Sequence, residues 1–302
     1  MKNNLPLIPL EEEEYIRKGI KVFVLRLDQV NQFISGNKWY KLKYNLKKAV
    51  EGGFDSVLSF GGAFSNHIHA LSYAAKGLGL RSIGIIRGEQ TEELNDTLKD
   101  AKSNGMELHF ISRDEYRKKN EPEFIKKLKK KFSNCYIVPE GGTNALAVKG
   151  TEEIVSHITE KVNYVACAVG TGGTLAGLIK GRLNTHTVIG FPVLKGGEFL
   201  YEVIANLTGG EYRDFWRLET NYHFGGYAKI DDNLIQFIRN FYNKHTIELE
   251  PVYTGKVMYG IDDMIRKNRF VSGDKIVVIH SGGLQGIRGI EKRFNLKLFE
   301  KV

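Results

Sequence analysis

Apolar positions along the chain recur with two different periods. Short runs rich in β-branched residues fall at 21–27, 55–60, 82–87, 106–111, 135–138, 163–169, 187–192 and 275–280 and read as strands. Between them apolar residues return at helical spacing, over 39–51, 66–78, 92–104, 122–132, 145–160, 173–184, 230–244, 256–269 and 284–294. Sustained strand–helix alternation predicts an α/β fold, a parallel sheet covered by helices on both faces. The run 163–169 (NYVACAV) is apolar on both faces, as an interior parallel strand must be. No internal repeat, low-complexity tract or proline-rich linker marks a boundary.

In such folds ligands bind at the carboxyl ends of the strands, where loops meet helix N-termini. Four glycine-rich loops fall there, at 60–67 (FGGAFSNH), 139–144 (PEGGTN), 170–174 (GTGGT) and 280–283 (HSGG). Each follows a strand and precedes a helical pattern, so together they suggest convergence on a polar or anionic ligand. Gly170, Thr171, Gly172, Gly173 and Thr174 are the sharpest signal. Glycines let backbone N–H groups face inward, and the next helix adds its positive end. Leu175 breaks the GxGxxG dinucleotide pattern, and no Gly-Lys-Ser/Thr ends the loop as a Walker A motif would. The segment reads as a phosphate cup without a cation, and an acidic side chain at Gly172 is expected to occupy the phosphate position.

Ser65 stands where a helix N-cap is expected, beside Asn66. His67 and His69 look like a metal pair, but i and i+2 point apart on a helix, so no metal is expected. Lys38 follows Gly36-Asn37 at the start of a predicted helix. A helix N-terminus and partial burial both disfavour the ammonium form. Imine chemistry requires a lysine in that condition.

Composition narrows the alternatives. The chain has 302 residues, 42% hydrophobic and 26% charged, which excludes disorder and is long enough for two moderate domains. With 44 Lys+Arg against 35 Asp+Glu the net charge is +9, and on that charge alone stands a non-enzymatic nucleic-acid binder. The densest basic run, Lys126 to Lys131, is interleaved with Phe124, Ile125, Leu128 and Phe132 at helical spacing. That is a solvated helix face, and no nucleic-acid motif accompanies it. Cys135 and Cys167 lie in apolar stretches and read as buried free thiols. No run approaches the roughly 18 apolar residues of a membrane helix, and the N-terminus lacks a signal-peptide core. No membrane partner is expected, and the location expected is cytoplasmic.

Together these motifs resemble the fold-type II pyridoxal-phosphate enzymes, nearest the 1-aminocyclopropane-1-carboxylate deaminase and D-cysteine desulfhydrase branch. The resemblance rests on Asn37-Lys38 with Lys41, on Ser65-Asn66-His67, on the loops 139–144 and 170–174, on Tyr227 in GGYA, on Tyr253 in PVYTGK and on the loop 280–283. It spans about residues 5 to 290. It implies a two-domain, parallel-sheet, tryptophan synthase beta-like architecture, with 40–145 as the smaller domain and 1–39 plus 146–302 as the larger, cofactor-binding one. Lys38 would hold pyridoxal phosphate as an imine and move protons. Asn66 would bond the ring oxygen, and Ser65 would bind the substrate carboxylate or assist proton transfer. Gly170, Thr171, Gly172, Gly173 and Thr174 would hold the phosphate, and Tyr227 and Tyr253 would lie near ring and substrate. A small amino acid as substrate and a homodimer are implied as well.

Departures from the family pattern bear on substrate. Deaminases resemble PVYEGK and HLGG; here Thr254 replaces the Glu and Ser281 the Leu, as in the desulfhydrase branch. Both positions are expected near the cofactor. A carboxylate near a pyridine nitrogen strengthens the electron sink, and a hydroxyl does so far less. The expected reaction is therefore β-elimination from a small D-amino acid such as D-cysteine, giving pyruvate, ammonia and hydrogen sulfide. Ring opening of 1-aminocyclopropane-1-carboxylate is the alternative. Trp39-Tyr40, bulkier than the family pattern at those positions, are expected to affect pocket shape.

Overall fold

A computed structural model describes residues 5–34, 36–182 and 186–300. Its strands are β1 (Leu7–Leu10), β2 (Lys21–Leu25), β3 (Ser56–Gly62), β4 (Arg81–Arg87), β5 (Met106–Ile111), β6 (Cys135–Ile137), β7 (Tyr164–Val169), β8 (Thr187–Pro192), β9 (Trp216–Leu218) and β10 (Lys275–Ile279). The helices are α1 (Glu13–Arg17), α2 (Asn37–Glu51), α3 (Asn66–Gly77), α4 (Asp96–Ser103), α5 (Arg113–Arg117), α6 (Pro122–Lys131), α7 (Ala145–Glu152), α8 (Gly173–Gly181), α9 (Leu200–Thr208), α10 (Asp232–His245), α11 (Thr254–Arg266) and α12 (Gly286–Phe294).

Two sheets form. One has the order β1-β2-β10-β7-β8-β9 and is parallel except for β1, which runs antiparallel along β2. The other, β5-β4-β3-β6, is parallel throughout. Successive strand residues serve opposite faces. Val165, Cys167 and Val169 of β7 join Val277 and Ile279 of β10 in one core, against Leu175, Leu178 and Ile179 of α8. Ala166, Ala168, Ile276 and Val278 join the core on the other face, with Val257, Ile261 and Met264 of α11. In the smaller sheet Val57 and Ile86 meet Leu46 of α2 and Leu71 of α3. Leu58, Phe60, Ile83 and Ile85 meet Tyr116, Phe124 and Leu128 of α5 and α6. Each fully buried aliphatic side chain contributes about 1.5–3 kcal/mol.

Every strand and helix expected from periodicity is present, with shifted ends. The helix expected over 145–160 stops at Glu152 and tightens into a 3₁₀ turn, Glu153–His157. The end expected for 173–184 reaches beyond the described residues. The periodicity missed β1, β9, α1, α5 and α9, the two strands because four and three residues are too short to show alternation. Pro9 sits in β1, an edge strand, where a missing N–H is tolerated. The lysines of α6 are exposed while Phe124 and Leu128 are buried, as a solvated face requires. Both cysteines are buried and free. Among the described residues no helix is long and apolar enough to cross a membrane.

The carboxyl ends of β3 and β6 in one sheet and of β7 and β10 in the other open on a common cleft.

Candidate active site

A cavity of about 340 Å³ lies where these strand ends meet, and all four glycine-rich loops contribute walls to it. Lys38, Ser65, Asn66, Gly170, Thr171, Gly172, Gly173, Thr174, Tyr227, Tyr253 and Ser281 line it together. Thr254 is absent from that wall.

Lys38 enters from the first turn of α2. Gly36, just before it, has φ 70°, and a Cβ there would lie 1.8 Å from the Ser281 carbonyl oxygen. Only glycine lets this turn press on the loop after β10. The Asn37 N–H donates to that same oxygen at 3.2 Å. Lys38 Nζ donates to Asn37 Oδ1 at 2.9 Å, and Asn37 Nδ2 donates to Thr174 Oγ1 at 2.8 Å. Asn37 therefore ties the lysine to the glycine cup. Burial lowers the Lys38 pKa to about 8, opposed in part by the Glu250 charge.

The cup does contain a basic side chain, contrary to its local sequence. Lys41, one turn along α2 and 2% exposed, donates to Thr143 Oγ1 at 2.7 Å and Thr171 Oγ1 at 3.2 Å. Burial, then repulsion from Lys38, hold its pKa well below the usual lysine range. An anion in the cup would reverse that shift. The expectation for Gly172 fails. With φ 82°, a Cβ there would point to Val203 and Ile204 at 3.4 Å, away from the cup. A Cβ on Gly173 would instead meet Thr143 Oγ1 at 3.0 Å and Lys41 Cε at 3.2 Å, inside it.

Ser65 caps α3, its Oγ accepting from Ile68 N at 3.3 Å, and among the described residues no acceptor takes its own proton. Asn66 Oδ1 accepts from Gln285 Nε2 at 2.6 Å, which leaves the Asn66 amide N–H groups as donors. His67 and His69 part company as helical geometry requires. His67 Nε2 bonds Ser59 Oγ at 2.8 Å, and His69 Nε2 bonds Asp100 Oδ2 at 3.2 Å. Among the described residues no metal-ligand cluster occurs. Tyr227 and Tyr253 pack edge to face with centroids 6.1 Å apart. Desolvation raises both phenol pKa values, that of the buried Tyr253 strongly, while Tyr227 keeps 39% of its surface exposed.

Thr254 is 1% exposed, and its Oγ1 accepts from Glu250 N at 2.8 Å. It serves the start of α11 instead of the cavity. Glu250, which sequence reasoning missed, is the reason. Its carboxylate accepts from the N–H groups of Val252 and Tyr253 at 2.8 Å and Thr254 at 2.6 Å, closing the helix end. Burial nonetheless pushes its pKa up. Trp39 and Tyr40 also face away from the cleft. Tyr40 is fully buried with its hydroxyl on His157 Nε2 at 2.8 Å, and both rings pack into the core beside α8.

Comparison with known proteins then decides the family. A family model described as "Pyridoxal-phosphate dependent enzyme" matches residues 3–282. The chain belongs to this family. A putative 1-aminocyclopropane-1-carboxylate deaminase of Pyrococcus horikoshii is 34% identical over 284 residues, 89% of this chain and 86% of that protein. A bifunctional D-cysteine desulfhydrase/1-aminocyclopropane-1-carboxylate deaminase of Arabidopsis thaliana is 29% identical, covering 94% of this chain and 75% of the other. A crystal structure of a 1-aminocyclopropane-1-carboxylate deaminase homologue superposes with TM-score 0.82 at 32% identity, covering 97% of this chain and 93% of that one. The fold is thus fold-type II, and the cofactor is pyridoxal phosphate. The residues present fit it: a half-buried, neutralisable lysine stands beside a cup whose inner wall a Cβ at 173 would crowd and which holds a second lysine amine with two threonine hydroxyls.

Proposed function

We propose that the protein is a pyridoxal-phosphate lyase that eliminates the thiol of D-cysteine as hydrogen sulfide, the remaining aminoacrylate being hydrolysed by water to pyruvate and ammonia. Lys38 is the residue that holds the cofactor and, once freed, takes the proton from the substrate's Cα. Lys41, Thr143, Thr171 and the backbone N–H groups from Gly170 to Thr174 bind the phosphate. The Asn66 amide donates to the ring oxygen, and the Ser65 hydroxyl to the substrate carboxylate. When bound, the cofactor supplies the electron sink for the carbanion left at Cα. Tyr227 and Tyr253, kept protonated by their raised pKa values, are placed to give a proton to the departing sulfur. In this reading segment 40–145 is the smaller domain, with 1–39 and 146–302 the larger, and the enzyme is a cytoplasmic homodimer; light scattering checks the oligomer.

The observation that carries the choice of substrate is the chemistry of the cleft wall. Among the described residues lining it Glu140 is the sole carboxylate. Glu140 is engaged by the Tyr116 hydroxyl at 2.6 Å and Lys119 Nζ at 3.3 Å. The loop after β10 offers only the small hydroxyl of Ser281, Thr254 stands where the deaminase pattern has its Glu, and the Glu250 oxygens are taken by three backbone N–H groups. Without a carboxylate at the pyridine nitrogen the electron sink is weaker. That suffices to release a thiol after loss of an acidic α-proton, and not to open a carbocycle that has none.

The test is the ratio of kcat/KM for hydrogen sulfide release from D-cysteine to that for 2-oxobutanoate release from 1-aminocyclopropane-1-carboxylate. We expect D-cysteine to be favoured by at least about tenfold, or 1.4 kcal/mol of relative barrier. Preference for the cyclopropane substrate would reverse the reading of Ser281 and leave the family intact.

A further inference from the structure

Lys256 is fully buried on the first turn of α11 and lies outside the cavity wall. Its Nζ donates to two backbone carbonyls, His223 O and Gly226 O, each at 2.8 Å. Those carbonyls belong to the turn that delivers Tyr227 to the cleft. The turn has little hydrogen bonding of its own: Gly226 N donates to His223 O at 3.0 Å, Lys229 N to Gly226 O at 3.2 Å and Gly225 N to His223 Nδ1 at 2.9 Å, so the two oxygens that Lys256 holds are also the acceptors of both backbone–backbone bonds. Its backbone is strained, with φ of 51° at Phe224, 88° at Gly225, 124° at Gly226 and 51° at Ala228. Phe224 and Ala228 hold a left-handed conformation that side chains disfavour. Such a segment persists only when its surroundings over-determine it. A buried ammonium, in turn, is tolerated only when acceptors surround it. Each feature supplies what the other lacks.

We propose that Lys256 is a positioning residue, whose ammonium clamps the turn at 223–226 and thereby fixes the Tyr227 phenol against Tyr253. Its effect on turnover rests on the reading of Tyr227 as a group that meets substrate. Its effect on the turn does not. The clamp also couples α11 to the cleft twice, since Tyr253 immediately precedes that helix and Tyr227 is held by its first turn.

Two measurements on the cofactor-loaded enzyme test this. Hydrogen exchange in Lys256→Met should quicken at least about tenfold at the Gly226 and Lys229 amides, while the amides of β10 keep their wild-type rates. In a double-mutant cycle with Tyr227→Phe, Lys256→Met should lower kcat/KM for D-cysteine about tenfold in the wild-type background and less than about twofold in the phenylalanine background. Unchanged exchange at 223–229 in a folded variant overturns the clamp. Equal losses in both backgrounds overturn its action through Tyr227. If D-cysteine is not turned over, the exchange measurement still decides the clamp, so the two readings fail separately. Should Lys256→Met not fold, Lys256→Gln enters the same comparison, and a wild-type Gly226 amide that exchanges as freely as an open loop overturns the proposal by itself.

Discussion

Lys38 and Lys41 stand one helical turn apart on α2, and their surroundings give them different chemistry. Among the described residues Lys38 Nζ has one hydrogen-bond partner, the neutral Asn37 Oδ1, and its pKa is lowered to about 8. Lys41 Nζ is held by two threonine hydroxyls. The sign of the Lys38 shift sets a pH dependence. Below about 8 it is an ammonium and cannot attack a carbonyl; above that it is the free amine. The rate at which apoenzyme forms the lysine-bound cofactor, followed by absorbance, should therefore rise with pH and level off above about 8. A flat profile between pH 6 and 9 would remove Lys38 from that role. Lys38→Ala should lose the borohydride-reducible adduct and all turnover. Lys41→Met should keep the adduct at saturating cofactor while Kd rises at least about tenfold, the loss of one charge-assisted contact. If the adduct survives in Lys38→Ala, the two assignments exchange.

At the scale of elements, the start of α8 makes the sharpest claim. Its neighbouring glycines look interchangeable in sequence, but the backbone turns them to opposite sides. Gly172 faces Val203 and Ile204 of α9, and Gly173 faces the cup. Gly173→Asp should raise the cofactor Kd by about a hundredfold, roughly 2.7 kcal/mol, with little change in Tm of the apoprotein. Gly172→Ala should instead lower the apoprotein Tm, because φ 82° is costly for any side chain, and leave cofactor affinity nearly intact. Titration of the two variants with cofactor, beside their melting curves, checks the pair; equal Kd values would mean that the phosphate lies elsewhere. The missed elements teach a related lesson. Leu200, Val203, Ile204 and Leu207 of α9 have helical spacing in the sequence, yet the run is short. Its consequence, closing off the outer side of Gly172, is visible only once α9 is packed on α8.

For the whole molecule, the cleft draws on both sheets. Thr143 and Asn66 follow strands of the smaller sheet, and residues 170–174 and Ser281 follow strands of the larger. A ligand held from both sides stabilises the assembled chain by mass action. At a hundredfold excess over Kd, pyridoxal phosphate should add about 2.7 kcal/mol, seen as a rise in Tm of roughly 5 °C. No rise in a preparation that shows the lysine-bound spectrum would mean that the two halves do not share the ligand. The alternation of strands and helices, the four loops at strand ends and the Gly-Asn-Lys turn were all legible in the chain. Each depends on neighbours in sequence: side-chain period, turn-forming glycine, helix start. The sequence by itself thus determined the class of fold, the cofactor chemistry and most of the cavity wall. It could not decide which side chains turn into the cavity. Thr254, singled out by its motif, is drawn away because Glu250 needs a partner at the head of α11. Lys41 enters the cup because α2 crosses beside Thr143 and Thr171, 102 and 130 residues distant in the chain. Those choices rest on contacts between segments far apart in sequence. Packing and hydrogen-bond satisfaction settle them only when the two sheets face each other.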